Sequence, residues 1–172
     1  MELLLNKVCG QPAALPVAVR RCGPADAAAF YALQNEVRAA MPHPEQFVPD
    51  TLENITAYLR TGICIGAWQQ RRLGAYLILR LCGQSDENYA AFLGVPQSQW
   101  QHWANADSAV VHPDWRGNGL QRAMLEAALP LHIVQAAELL FNVSITQGAE
   151  FLPERCCHGF TCFLRCYLYR IV

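Results

Sequence analysis

The sequence predicts an α/β (α+β) domain in which a central mixed, mostly antiparallel sheet is flanked by helices on both faces. Three observations carry this. Apolar runs of strand length alternate with segments of helical period, in the order β-α-α-β-β-loop-β-α-β-α-β. Two neighbouring runs, 63–68 and 73–81, are apolar at nearly every position, as strands covered on both faces are. A strand, a glycine-rich turn and a helix follow one another directly around Arg116-Gly117-Asn118-Gly119-Leu120-Gln121.

Residues 1–15 show no clear period and are expected to be a loose N-terminal extension, leaving 16–172 as a single domain. Residues 17–21 read as the first strand. Pro24 suits the first position of a helix, where its missing N–H removes no bond. Phe30, Leu33, Val37 and Met41 then follow at near-helical spacing to about Ala40, and Pro42 and Pro44 stop the helix. A second helix starts with Asp50 as its cap and Glu53 three residues on, as a capping box requires. Leu52, Ile55 and Leu59 mark its buried face, and Thr61-Gly62 end it.

Runs 63–68 and 73–81, joined by Gln69-Gln70-Arg71-Arg72, read as an antiparallel hairpin. The long connection 82–105 carries a short helical pattern at 88–93 that Gly94 can close. Its Trp100 and Trp103 are expected to anchor the loop rather than lid a pocket. Residues 107–111 form the strand feeding the glycine turn. Leu120, Ala123, Met124, Ala127, Ala128 and Leu131 then fall on one helical face, with Pro130 ending or kinking the helix. Residues 138–145 are the next strand, 151–157 a short helix, Gly159-Phe160 a turn, and 161–172 the last strands.

Composition narrows the function. A chain of 172 residues suits one domain with a sizeable core. The net charge of −1 gives no electrostatic case for nucleic acid or an anionic membrane. No run reaches the ~20 apolar residues of a membrane span, and the N-terminus is too short in apolar residues for a secretory signal. A cytoplasmic protein without nucleic-acid or membrane partners is the expectation. Without a secretion signal, its eight cysteines are not expected to form a disulfide framework. Cys64 and Cys82 lie in apolar runs and read as small hydrophobes. Cys156-Cys157-His158, Cys162 and Cys166 lack the paired short spacings of a structural zinc site, so no metal is expected.

The chemistry concentrates at 116–121. Unpaired N–H groups at a helix start point outward, and the helix dipole favours negative charge there. Glycines let an anion approach the backbone, and Arg116 adds a permanent positive charge. The ligand expected is a phosphorylated cofactor. The turn lacks the Lys-Ser or Lys-Thr of a P-loop, and Arg122 stands where a dinucleotide fingerprint needs its third glycine.

Val-His-Pro-Asp-Trp-Arg-Gly-Asn-Gly-Leu at 111–120 resembles the acyl-CoA-binding motif of the GNAT acetyltransferases. That motif is Arg or Gln, two residues, Gly, one residue, then Gly or Ala. Arg116 and Gly119 match it, and Gln121 occupies the small sixth position. The resemblance implies a GNAT-like N-acetyltransferase domain over 16–172 with acetyl-CoA as co-substrate. Transfer of its acetyl (acyl) group to a primary amine, on a small molecule or a protein, would proceed by direct attack. A homodimer is left open.

The resemblance also implies roles. The pantetheine arm pairs with the strand at Val110 and Val111, and Arg116, Gly117, Asn118, Gly119, Leu120 and Gln121 hold the pyrophosphate, largely through backbone N–H groups. Asp107 is the first candidate for the base that deprotonates the amine, and Glu36 the second. The family's usual tyrosine acid has no counterpart, since no Tyr lies between residues 90 and 166; Cys156, Cys157, Tyr167 or a water are the remaining options. His43, Phe47 and Tyr58 are placed near the acceptor pocket. The alternatives to a transferase are a non-catalytic or degenerate CoA-binding module and a Cys/His metal or redox protein built on 156–166.

Overall fold

The structure, a computed structural model, describes residues 1–133 and 138–141. The expected helix at 151–157, the Gly159-Phe160 turn, the final strands and the four C-terminal cysteines lie outside the described residues.

A six-stranded sheet runs in sequence order: β1 (Glu2–Val8), β2 (Gln11–Arg21), β3 (Ile63–Gln69), β4 (Arg72–Arg80), β5 (Trp103–Val111) and β6 (Glu138–Phe141). Neighbours from β1 to β5 are antiparallel, and β6 joins β5 in parallel. α1 (Ala27–Ala39) and α2 (Leu52–Thr61) connect β2 to β3, and α3 (Leu120–Ile133) connects β5 to β6. The mixed, mostly antiparallel sheet read from the sequence is the sheet observed.

Both faces of the sheet are covered. Cys64, Trp68, Tyr76, Ile78 and Val110 share a core with Phe30, Leu33 and Val37 of α1 and Ile55 and Leu59 of α2. The Phe30 and Tyr76 rings stack at 4.5 Å. Strand residues alternate between faces, so buried Ile63, Ile65, Leu77 and Leu79 point the other way. On that side α3 packs across β2, β3, β4 and β5, burying Leu120, Met124, Leu125 and Ala128. Buried Cys64 fits its reading as a small hydrophobe, and burial pushes its thiol up to about 12.

Three expectations are corrected. Residues 1–15 are not a loose extension: they form β1 and the first part of β2, joined at Cys9 and Gly10, both at positive φ (51° and 74°). Asp50 does not cap α2; Thr51 does, its hydroxyl accepting from Asn54 N–H at 3.1 Å. Asp50 is held elsewhere, because the buried Gln34 side chain donates to its carbonyl (2.6 Å) and accepts from its N–H (3.1 Å). Leu52, assigned to the buried face of α2, is 47% exposed: it is the first residue of the helix, and the buried face begins one turn later at Ile55. Pro24 does open a helical run, as the first residue of a 3-10 turn (Pro24–Asp26) leading into α1.

Candidate functional site

β5 ends at Val111, and His112 caps a 3-10 turn, Pro113–Trp115, by accepting the Asp114 N–H at its Nδ1 (3.2 Å). Trp115 is completely buried and serves as the turn's foot. Its ring lies over Gly74 of β4, while His112 N–H donates to Gly74 O at 2.8 Å. Arg116 and Gly117 then emerge into solvent. Gly117 and Gly119 have φ of 77° and 68°, which is why glycine stands at both. Among the described residues no atom lies within 4 Å of where either Cβ would be, so they leave the space in front of the turn open.

The first backbone bond of α3 is Ala123 N–H to Gly119 O, at 3.0 Å. The N–H groups of Gly117, Asn118, Gly119, Leu120 and Gln121 find no acceptor among the described residues. They gather at the positive end of a fourteen-residue helix, beside the exposed Arg116 guanidinium. Leu120 is buried beneath them and Gln121 is half-buried.

β5 leads up to this turn. It pairs with β4 from Arg80↔Asn105 to Ala75↔Val111. On its other side it pairs in parallel with β6 from Trp103↔Glu138 to Ala106↔Phe141, the last residue described there. Val110 is buried toward α1 and α2, and Val111 is half-buried.

The β4–β5 register slips between Ile78↔Ser108 and Leu79↔Ala106, so Asp107 is the extra residue of a bulge. Its Oδ1 lies 2.8 Å from Arg80 Nε, with both side chains largely buried (17% and 18% exposed). Arg80 also reaches exposed Glu87 at 3.1 Å and lies 5.4 Å from the Tyr58 ring. Tyr58 in turn donates to Asp50 Oδ1 at 3.4 Å. Burial pushes the Asp107 carboxyl up from its ordinary value, against the opposing pull of Arg80, and the Asp50 charge adds to the rise. Burial likewise raises Asp50. For Arg80, burial works against the charge, but Asp107 beside it carries the net effect upward.

Glu36, the other candidate base, is exposed on α1, with Oε2 3.9 Å from His112 Nε2. His112 lies five residues beyond Asp107, roughly 16 Å along the chain at the usual strand rise. The two candidate bases therefore stand at opposite ends of the 107–111 half of β5. Of the residues assigned to the acceptor side, Phe47 and Tyr58 pack against the α1–α2 core, and His43 is exposed beside Glu45. Trp100 anchors its loop, donating from Nε1 to Val95 O at 2.8 Å. Buried Asn105 fixes the same loop through Glu87 O and Tyr89 N–H.

Arg80, Tyr58 and Asp50 gather around Asp107 without having been singled out together by the sequence. Their positions are separated by long connections, and only the β4–β5 pairing and the packing of α2 unite them. The role of Trp115 depends on Gly74, which no local pattern marks.

The sequence matches no protein-family profile and no curated protein. The fold does match solved structures. A ribosomal-protein-alanine N-acetyltransferase from Brucella melitensis biovar Abortus 2308 superposes with a TM-score of 0.52 at 18% identity, over 73% of this chain and 80% of that one. An aminoglycoside acetyltransferase from an uncultured soil metagenomic sample, in complex with sisomicin, gives 0.51 at 12% identity, over 74% and 77%. A diaminobutyrate acetyltransferase from Paenibacillus lautus, in complex with L-2,4-diaminobutyric acid and coenzyme A, gives 0.53 at 14% identity, over 74% and 65%. The architecture of this chain is that of the GNAT N-acetyltransferases.

Proposed function

We propose that the chain is an acyl-CoA-dependent N-acyltransferase that moves an acetyl group from acetyl-CoA to a primary amine. The observation that carries this is the row of N–H groups from Gly117 to Gln121 that find no acceptor among the described residues. A diphosphate fits this row, because backbone donors and a helix N-terminus both favour an anion. The amide-bearing pantetheine arm would run along the end of β5 that feeds the turn, as an added strand does. β5 and the turn are contiguous, as the two parts of one CoA molecule are. Arg116 would serve the phosphates from the rim.

In this reading a neutral amine attacks the thioester carbonyl carbon, a backbone N–H of β5 stabilises the oxyanion, the C–S bond breaks and CoA leaves as thiolate, which takes up, directly or through water, the proton that the new amide nitrogen sheds. Asp107 would accept the proton of the incoming ammonium. Its burial favours the protonated form, which suits a base that must take and then release a proton. Glu36, more exposed and at the far end of the strand, is the second choice.

Calorimetric titration with acetyl-CoA tests the cofactor half. The wild-type chain is expected to bind. Gly119→Trp abolishes binding by filling the open space, and Arg116→Ala weakens it by about 1.5–3 kcal/mol, the range for a hydrogen bond to a charged group. Release of free CoA thiol on adding amines tests the chemistry, and Asp107→Asn is expected to lower kcat while leaving acetyl-CoA affinity intact. One observation favours a second reading, a CoA-binding module without chemistry: Asp107 is already paired with Arg80 at 2.8 Å. Cofactor binding without turnover across a broad amine panel would select it.

A further inference from the structure

The side chain of Asn118 is bonded to the first strand of the sheet. Its Oδ1 accepts from Asn6 N–H at 2.9 Å and from Lys7 N–H at 3.1 Å. Its Nδ2 donates to Lys7 O at 2.8 Å and to Trp115 O at 2.9 Å. Toward Lys7 the carboxamide acts as one residue of a neighbouring strand would, accepting from its N–H and donating to its carbonyl. Cys9 N–H adds a bond to Asp114 O at 2.8 Å, so the end of β1 grips the loop twice.

The strand is shaped for this grip. In a regular strand successive N–H groups point to opposite edges, and one oxygen cannot take both. β1 carries a register shift between Leu5 and Lys7, which turns the N–H groups of Asn6 and Lys7 to one side. The same irregularity explains the burial pattern. Leu5 is buried and simple alternation would send Lys7 inward beside it, yet Asn6 and Lys7 are both exposed.

We propose that Asn118 is a positioning residue and that β1 is a working part of the cofactor loop. The inference rests on the reading of 116–121 as a phosphate cradle. Gly117 and Gly119 give the loop its left-handed turns and also make it free to leave them. Tying the residue between them to a sheet strand holds the N–H groups convergent before the cofactor arrives. Ordering done in advance is not charged to binding. Coupling of this kind is reciprocal: what β1 does for cofactor affinity, the cofactor does for the stability of β1.

The test combines calorimetry with backbone amide exchange on the full chain, using coenzyme A as the probe. Three proteins are compared: wild type, Asn118→Ala and Asn6→Pro. The last removes one donor to Asn118 while leaving the loop sequence untouched. In the wild type, coenzyme A is expected to slow exchange at the Asn6 and Lys7 amides. Both variants are expected to bind about tenfold more weakly or worse and to lose this cofactor-dependent protection. A side chain with a merely structural role would lower stability without linking β1 protection to cofactor occupancy. The proposal is overturned if the wild type binds coenzyme A, its β1 exchange does not respond, and Asn6→Pro binds as the wild type does. Failure of the wild type to bind coenzyme A at all overturns the cradle reading itself, a separate result.

Discussion

The Trp115 ring rests directly on the backbone of Gly74. A Cβ built on Gly74 would lie 2.1 Å from Trp115 Cε3, so the indole occupies the space a side chain would need. This contact ties the foot of the glycine loop to the central strand β4, where a register shift opposite Ala67 and Trp68 marks the irregularity.

Gly74→Ala is therefore expected to destabilise the fold by about 1–3 kcal/mol, the usual range for overpacking a dense core. Trp115→Ala is expected to destabilise by about 3–5 kcal/mol. Thermal unfolding of both variants and the double mutant checks the relationship. Once the ring is gone, the added methyl should do little further harm, so the double mutant should fall well short of the sum. Strict additivity would show that the two positions do not share the space.

Gly117→Ala and Gly119→Ala should behave differently from Gly74→Ala. No atom of the described residues stands within 4 Å of either Cβ position, so the penalty expected is conformational, about 1–2 kcal/mol each for a left-handed residue. The loop could instead relax to negative φ, and its N–H groups would then diverge. Acetyl-CoA affinity measured by calorimetry should fall by more than denaturant-derived stability does.

Gln34→Ala should cost at least about 2 kcal/mol, because it leaves the N–H and the carbonyl of Asp50 without partners at roughly 1–3 kcal/mol each. A denaturation midpoint unchanged from wild type would mean that water takes both places.

Two aspartates should show opposite pH signs. Burial holds the Asp50 carboxyl above its ordinary 3.8, so the folded chain binds that proton more tightly than the unfolded chain. Its contribution to stability is greatest below 3.8 and is lost as pH rises through the raised value. Asp50→Asn should thus gain stability at neutral pH and gain nothing in acid. Asp26 is held below 3.8 by its hydrogen bonds to Arg20, and its contribution is present above 3.8 and lost as pH falls through the lowered value. Asp26→Asn should lose stability at neutral pH only. Denaturation curves across pH 2.5–7.5, a range spanning the ordinary aspartate value, separate the two.

The parts of the fold legible in the sequence are those with an unbroken period. β3 and β4 read as apolar runs, α1 as a face of Phe30, Leu33 and Val37, and the 3-10 segment Tyr89–Leu93 as a pattern closed by Gly94 at φ 68°. β1 was hidden because its bulge at Asn6 places two exposed residues in succession, and because Pro12 and Pro16 sit in β2 opposite Lys7 and Leu4. Thr51 lost its cap to Asp50 because Asp50 also has a Glu three residues on; only the tertiary bonds from Gln34 decide between them. At the site, the glycine loop announced itself through short-range spacing. The linkage of Asp107 to Arg80 and of Asn118 to Lys7 did not, since each joins segments far apart in the chain.

The carboxamide that fastens the loop is followed by Gly119, and in an Asn-Gly pair the side-chain carbonyl carbon is most easily attacked by the glycine's backbone nitrogen, with loss of ammonia. Hydrolysis there would replace the Nδ2 donor by oxygen, release Lys7 O and Trp115 O, and set a negative charge where phosphates are to be received. The bonds that now occupy Nδ2 restrain the side chain from that reaction. The hairpin at the start of the chain thus also governs the shelf life of the loop: a preparation whose N-terminal strand is clipped or frayed should age chemically at residue 118 first.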